Sequence, residues 1–446
     1  MKDILQRNLK FFLDGARDQE LGRLLNDLHP ADIAEIIEPL DEVDAIRVLT
    51  LLGPELSSQV MVELPESALE RITPLLPSAR LSEMVSHMDS DDAADILANL
   101  PDEEAKAVLA AIEPEESAEV RRLLLYDDDT AGGIMQVELI SALDDETVAD
   151  AVEHIRAAKD EVEALSYVFV VDRNNVLRGQ IGLTTLLLAT PGTPLRDLMS
   201  PCELVVEVTE DQEAVAQDFQ KYDVRSAPVV DEHGRLLGRI TVDDVLDVVH
   251  EEVDEDVSRM AGTSEEEIYS DKIFKISRLR LPWLIVNLIG GLVTGYLVWL
   301  FKMALEDVLA LVTFIPAIMA LGGSVGIQSS TIVVRGMALG RINPGKVGHV
   351  LFKEFRVALL MGLVCGLGGA LVAQLWHRRP VLGIIVGLSM FFAITMLALL
   401  GAFAPAIFRR LSIDPALASG PFVTMCNDIL GIIVYMGIAT MALDLF

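Results

Sequence analysis

The chain has 446 residues, 51% of them apolar, and a formal net charge of −33 at pH 7. That charge is uneven: Met1–Ser270 holds 61 acidic and 21 basic residues, and Asp271–Phe446 holds 7 acidic and 14 basic. So anionic a surface excludes nucleic acid as a partner and favours a pool of cations. The three cysteines, Cys202, Cys365 and Cys426, have no metal-ligand or disulfide spacing.

From Asp18 to Leu125 apolar residues recur at helical spacing, as in Leu21, Leu24, Leu25, Leu28 and Ile33, Ile36, Ile37, Leu40. Prolines at 30, 39, 54, 65, 77, 101 and 114 punctuate the pattern. Proline suits a first helical turn and breaks an interior, so a superhelical stack of short helices is expected. Within it, Met88-Asp89-Ser90-Asp91-Asp92-Ala93-Ala94-Asp95 is densely acidic. Asp91 and Asp95 share a helical face, as a solvated first turn or as half of a cation site completed by another domain. The N-terminus, Met1 to Arg7, lacks the apolar core of a signal peptide, so this acidic half is expected in the cytosol.

The period then changes. Tyr167–Asp172, Gly179–Gly182 and Ala227–Asp231 read as strands, and a shift of 59 residues lays Asp172 on Asp231, Gly179 on Gly238 and Ile181 on Ile240. Helical runs precede each strand pair, which makes a duplicated α/β unit. It resembles a tandem pair of CBS domains. The second copy holds the fuller signature, Ser226-Ala227-Pro228-Val229-Val230-Asp231 and Gly238 to Asp244. That resemblance implicates Ala227, Pro228, Thr241 and Asp244 in holding an adenine nucleotide such as ATP. The first copy has Gly182 and Thr185 at the Thr241 and Asp244 places, so at most one complete site is expected. From Val242 to Ser270 a long acidic amphipathic helix follows, carrying Asp247, Glu251, Asp254, Glu255 and Asp256 beside an apolar stripe. It is either a solvated linker or a rod that transmits motion to the membrane face.

After Lys272, Lys275, Arg278 and Arg280 come five apolar stretches near the ~20 residues that a spanning helix needs. They run at 281–305, 308–339, 350–376, 381–408 and 418–443, and the richer basic loops fall on the side of the acidic half. Two polar, glycine-rich stretches interrupt them. One, Gly322-Gly323-Ser324-Val325-Gly326-Ile327-Gln328-Ser329-Ser330-Thr331, would either open carbonyl oxygens to a path or pack helices closely. The other opens the last span and carries Asp428, ten residues in from Ala418. At 1.5 Å per residue that is ~15 Å, about half of the ~30 Å hydrocarbon core. A bare carboxylate there costs roughly 2.5–3.5 kcal/mol, to be offset by a cation, a basic partner, a proton or water. Carbonyls, hydroxyls and one carboxylate favour a hard, hydrated ion such as Mg²⁺. No nucleophile–base pair, histidine cluster or phosphate-binding loop suggests an enzyme.

The motifs Tyr126-Asp127-Asp128-Asp129-Thr130-Ala131-Gly132-Gly133-Ile134-Met135, Gly322 to Thr331 with Arg335-Gly336, and Asp414-Pro415-Ala416 through Asp428 resemble the MgtE family of magnesium channels and transporters. The resemblance implies an all-α helical-repeat N domain (1–130), a tandem CBS pair (131–245), a connecting or plug helix (246–278) and a five-helix transmembrane pore domain (279–446). It implies a homodimer in the inner (plasma) membrane, multi-pass, with cytoplasmic N-terminal domains and a pore on the twofold axis. Asp428 would face that pore and hold hydrated Mg²⁺, with Gly323, Ser324, Gln328, Gly420 and Ala317 along the path. Cytosolic Mg²⁺ would close the pore through Asp91, Asp95, Asp247, Glu251, Asp254, Glu255, Asp256 and Asp414. Ser324, Ile327 and Gly420 depart from residues common in the family. The rival readings are a broader divalent transporter (Mn²⁺, Co²⁺, Ca²⁺), a carrier coupled to H⁺ or Na⁺, and a membrane metal sensor that does not conduct.

Overall fold

The computed structural model describes residues 11–13, 17–158, 165–263, 267, 273–301, 309–338, 342, 347–411, 413–418 and 420–443. They fall into two units, Met1–Val249 and His250–Phe446, taken here one at a time. Of the basic residues named above, Lys272 lies outside the described residues.

Among the described residues of the first unit nine short helices follow one another: α1 (Asp18–Leu25), α2 (Pro30–Ile37), α3 (Glu42–Leu51), α4 (Pro54–Val62), α5 (Glu66–Ile72), α6 (Ser78–Val85), α7 (Ser90–Ala98), α8 (Asp102–Leu109) and α9 (Pro114–Leu123). The prolines act as the spacing predicts: Pro30, Pro54 and Pro114 open helices, and Pro65, Pro77 and Pro101 stand at the N-cap. Asp41 caps α3 by accepting the Asp44 N–H at 2.9 Å. Most helices pack on the next but one, α1 on α3, α2 on α4, α3 on α5 and so on to α7 on α9. That alternation is the geometry of a superhelical stack.

Two three-stranded sheets follow. In one, β1 (Ser141–Leu143) lies parallel to β2 (Tyr167–Val171), which pairs antiparallel with β3 (Leu177–Gly182). In the other, β4 (Val206–Glu207), β5 (Ser226–Val230) and β6 (Leu236–Thr241) repeat that order. Helices α10 (Val148–Ala157), α11 (Leu183–Leu188) and α12 (Gln212–Tyr222) belong to this α/β pair. The duplication extends to its irregularities. The register of β2 on β3 shifts between Val170 and Val171, and that of β5 on β6 between Val229 and Val230, 59 residues on. Asn175 (φ 61°) and Gly234 (φ 75°) take the same left-handed turn position in the two copies.

The second copy of the pair is not a separate bead, whereas the first keeps its own core around Val148, Val168, Val170 and Ile181. Val206, Val215, Phe219, Ala227, Val229, Ile240, Val245 and Val248 share one continuous core with the helical stack. The motif between them acts as the joint. Gly132 must lack a side chain because a Cβ would lie 2.6 Å from the Tyr126 ring, and one on Gly133 would lie 2.5 Å from the Asp128 carbonyl oxygen. Gln136 Oε1 then accepts from Arg239 Nε and Nη2, at 2.9 and 2.7 Å, in a buried pair.

The next helix, α13 (Val242–Ala261), ends sooner than its acidic run suggested. Gly262 adopts φ +73°, and the helix stops before it instead of running to Ser270.

Among the described residues of the second unit five helices are long and apolar enough to cross a membrane. They are α14 (Ile273–Leu300), α15 (Ile315–Ala338), α16 (Val347–His377), α17 (Pro380–Arg410) and α18 (Pro421–Leu443). α14 begins eight residues earlier than expected, so Lys275, Arg278 and Arg280 lie in its first turns. α17 is the central element, packing on α15, α16 and α18. Its contact with α16 is made by small residues: a Cβ on Gly366 would lie 2.7 Å from the Gly387 carbonyl oxygen, and one on Gly383 would lie 2.9 Å from that of Ala370. At Gly401 it meets α15, where a Cβ would lie 2.8 Å from the Gly326 carbonyl carbon. Gly401→Ala should therefore cost roughly 1–3 kcal/mol by overpacking. The expected outcome is a lower melting temperature in detergent, whereas Gly437→Ala, with nothing within 4 Å of its Cβ, should not lower it. Equal melting of the two variants would contradict this packing.

Candidate functional site

In the first unit the N-termini of α7 and α13 bring carboxylates together. α7 is anchored by Ser90, whose N–H and Oγ donate to Glu138 at 3.1 and 2.8 Å while Val137 N–H donates to Ser90 Oγ at 3.0 Å. That tie turns Asp91 inward, where it is 6% exposed and accepts only a 3.0 Å bond from the Asp92 N–H among the bonds seen. Burial, followed by the charges of Asp244 and Asp92, holds Asp91 well above the usual carboxylate range. Burial and the charges of Asp244, Asp89, Asp95 and Asp247 push Asp92 up to about 8. Asp244 is raised too, by burial, although Thr241 donates to its Oδ2 from N–H at 3.0 Å and from Oγ1 at 2.5 Å.

This cluster joins Asp91 and Asp247, as expected, and puts Asp95 at its exposed rim. Asp89 and Asp92 belong to it as well, although sequence reading singled out only Asp91 and Asp95 from that run. Asp244, expected at a nucleotide, is part of the same electrostatic cluster and is already engaged by Thr241, whose N–H and hydroxyl both donate to it. Ala227 and Pro228 are buried in β5, paired with Ile240 and Arg239.

In the second unit the end of α13 forms another charged group. Arg259 pairs with Glu255 one turn before it and donates from Nη1 to Asp414 Oδ2 at 2.6 Å. Asp414 Oδ1 accepts the Ala416 N–H at 2.7 Å, fixing the turn that leads into α18. Asp256 stands beside them, and burial and the charges of Asp414 and Glu252 push it up to about 6. The structure thus unites Glu255, Asp256 and Asp414 and adds Arg259, a cation that the sequence reading did not assign. Glu251 and Asp254 are exposed on α13. Backbone meets backbone here: a Cβ on Gly420 would overlap the Met260 carbonyl oxygen, and one on Gly262 would lie 2.9 Å from Pro421 Cγ. The end of α13 therefore rests on the opening of α18.

Asp428 is half-buried. Because α18 starts at Pro421, it lies seven residues past the first, or ~10 Å along the axis, shallower than the ~15 Å expected. The glycine-rich stretch does not open; α15 is one continuous helix through it. Its glycines divide by face. Gly322 and Gly326 are buried, packed on Leu397 and on Asn427. Gly323 has open space where a Cβ would be, and Ala317, Ser324 and Gln328 are exposed on the other face. Ser324 Oγ turns back to the Ala320 carbonyl at 2.9 Å. A buried acid that sequence reading did not single out, Glu354 of α16, accepts from Ser329 Oγ of α15 at 3.1 Å. Among the described residues no three His, Cys, Asp or Glu side chains form a ready-made metal set.

Fold and site together define an integral membrane protein whose five-helix unit follows an acidic helical stack and a CBS-type α/β pair. Family models match each part: the MgtE intracellular N domain over 28–129, the CBS domain over 131–192 and 195–251, and MgtE, a divalent cation transporter, over 315–438. The magnesium transporter MgtE of Bacillus subtilis is 35% identical over 324 residues, covering 73% of this chain and 72% of that protein. That of Enterococcus faecalis is 36% identical over 330 residues, covering 74% and 73%. The cytosolic domain of the Mg²⁺ channel MgtE in complex with ATP superposes with a TM-score of 0.51 at 33% identity, covering 55% of this chain and 99% of that one. The chain belongs to the MgtE family of magnesium transporters.

The raised carboxylates fix a pH signature. Asp92 keeps its proton to about pH 8 when folded but only to the ordinary value of 3.8 when unfolded. Between those limits the folded state binds more protons, so the stability this group contributes is present at low pH and lost as pH rises through 8. In Mg²⁺-free buffer, Asp92→Asn should therefore gain melting temperature over wild type as pH rises across that window. Parallel melting profiles would contradict the assignment.

Proposed function

We propose that the chain is a Mg²⁺ channel of the plasma membrane, active as a homodimer, with its N-terminal unit in the cytoplasm sensing the ion that it conducts. The observation that carries this reading is the open face of α15. Ser324 and Gln328 stand exposed on a membrane helix, and the neighbouring helix α18 carries half-buried Asp428. Facing lipid, such polar groups are costly. Facing a second copy across a wet path, they become its lining, with Gly323 and Ala317 leaving room and Gly420, covered by the end of α13, at its mouth. One carboxylate per chain, with no converging metal set, suits an ion that keeps its waters, as Mg²⁺ does. The exposed apolar pair Leu187 and Leu246, at matching places in the two α/β copies, supports a second dimer contact.

The gate follows from the clustered carboxylates. Asp91, Asp92 and Asp244, with Asp95 and Asp247 at the exposed rim, repel one another in the packed state, and a divalent ion among them removes that repulsion. A site of that kind contributes about 1.4 kcal/mol at ten times its dissociation constant. Several sites reach the ~5.5 kcal/mol of a full switch. α13 carries the change to Gly420 and Asp414 at the mouth of α18. Glu251 and Asp254, exposed along α13, and Glu255 and Asp256 near its end are further ligands in this reading. The second α/β copy, with Ala227, Pro228, Thr241 and Asp244, is where ATP would bind, a reading supported by the relative's cytosolic domain crystallised with ATP.

Asp428→Ala should abolish Mg²⁺ uptake in uptake-deficient cells with expression intact; full uptake would refute the path. Joint change of Asp91, Asp92, Asp244 and Asp247 to Asn should raise the internal Mg²⁺ that half-inhibits flux at least about tenfold, the equivalent of one lost site. Unchanged inhibition would refute the gate.

A further inference from the structure

Asn427 precedes Asp428 in α18 but has a different setting, being only 1% exposed. Its Nδ2 donates to the Gly322 carbonyl of α15 at 3.2 Å, and its Oδ1 has no hydrogen-bond partner. Gly326, one turn further along α15, admits the amide only because it has no side chain. A Cβ there would lie 3.1 Å from Asn427 Cγ and Oδ1 and would overlap Nδ2. From the opposite helix, Gly401 presses its backbone on that of Gly326. One turn of α15 is thus held between the main chain of α17 and the amide of α18.

Packing alone does not call for an amide. An apolar side chain of the same branched shape, such as leucine, would occupy the space without a buried unpaired acceptor, which is unfavourable. What the amide adds is register. A single N–H on a single carbonyl admits one height and one rotation of α18 on α15, whereas apolar side chains between smooth helices tolerate sliding. Asp428 is the next residue, so any slip at Asn427 moves its carboxylate along the open face of α15, past Ser324 and Gln328.

We propose that Asn427, seated on Gly322 and Gly326, is a positioning residue that fixes Asp428 against α15 and thereby sets how tightly the path holds its ion and which divalent ion it prefers. This rests on the ion-path reading of Asp428. It assigns Gly326 a steric role, as the seat for the amide, and no role as a carbonyl ligand.

The test uses the full chain in proteoliposomes, with initial Mg²⁺ flux measured against external Mg²⁺ and the Mg²⁺-to-Ca²⁺ flux ratio recorded. Asn427→Leu and Asn427→Ala should remain dimeric and conducting. Their half-saturating Mg²⁺ should rise about five- to tenfold, as loss of one hydrogen bond implies, with a weakened preference for Mg²⁺. Gly326→Ala should lose flux because its methyl strikes the amide. Adding Asn427→Ala to it should restore flux but not wild-type half-saturation, a pattern that a purely structural role would not give. Wild-type half-saturation and ion preference in both Asn427 variants would overturn the proposal. Asp428→Ala in the same assay keeps the two readings apart. Undiminished flux there overturns the ion path and this proposal with it, whereas lost flux there with wild-type behaviour of both Asn427 variants overturns the positioning role alone.

Discussion

Negative charge taken out of water has to be compensated, and the molecule meets that requirement differently in each of its units. At Asp414 and Glu255 a resident cation, Arg259, supplies the compensation. At Asp91, Asp92 and Asp244 burial and neighbouring carboxylates act to hold the protons, and at Asp244 Thr241 and the charge of Arg239 act against them. Carboxylates held in that condition are the part of a fold most responsive to a mobile divalent ion. The helical stack and the second α/β copy can press these groups together because they share one hydrophobic core, so the repulsion is borne by packing elsewhere.

Helix α13 runs between the two charged groups. It begins at Val242, two residues before Asp244, and ends at Ala261, where its last turn rests on Pro421 and Gly420. In the proposed gate such a helix would be a suitable carrier, because a tilt at one end must move the other. Within the membrane unit, small residues let α16, α17 and α15 approach at backbone distance, and the few buried polar links stand out against them. Ser329 to Glu354 holds α15 on α16, and Asn427 to Gly322 holds α18 on α15. α15 is therefore tied on its buried face by polar bonds while its other face, with Ser324 and Gln328, stays open.

Much of this was legible in the sequence wherever the signal was periodic or local. The 59-residue repeat was, since strands, turns and even the register shift recur at that interval. The proline-punctuated helices were, because proline acts on its own turn. The five spans were, because length and apolarity suffice. Helix ends were less so: the acidic run continues past Ala261, and only the left-handed Gly262 stops the helix. The start of the last helix was misplaced for a related reason, as Pro421 and not Ala418 begins α18. Asp92, Asp244, Arg259 and Asn427 were beyond reach because their roles are tertiary. Asp244 reads as half of a T-x-x-D signature until α7 is laid against it, and Asn427 is an unremarkable neighbour of Asp428 until Gly326 is seen beneath it.

The central claim is that the packed carboxylates of the N-terminal unit await a divalent ion. Amide hydrogen exchange of the full chain, compared in Mg²⁺ and in Na⁺ of equal ionic strength, tests it most directly. The account predicts that the N-terminal turns of α7 and α13 exchange markedly more slowly in Mg²⁺, while α16 and α17 are unaffected. Identical exchange of those turns in the two salts would contradict it.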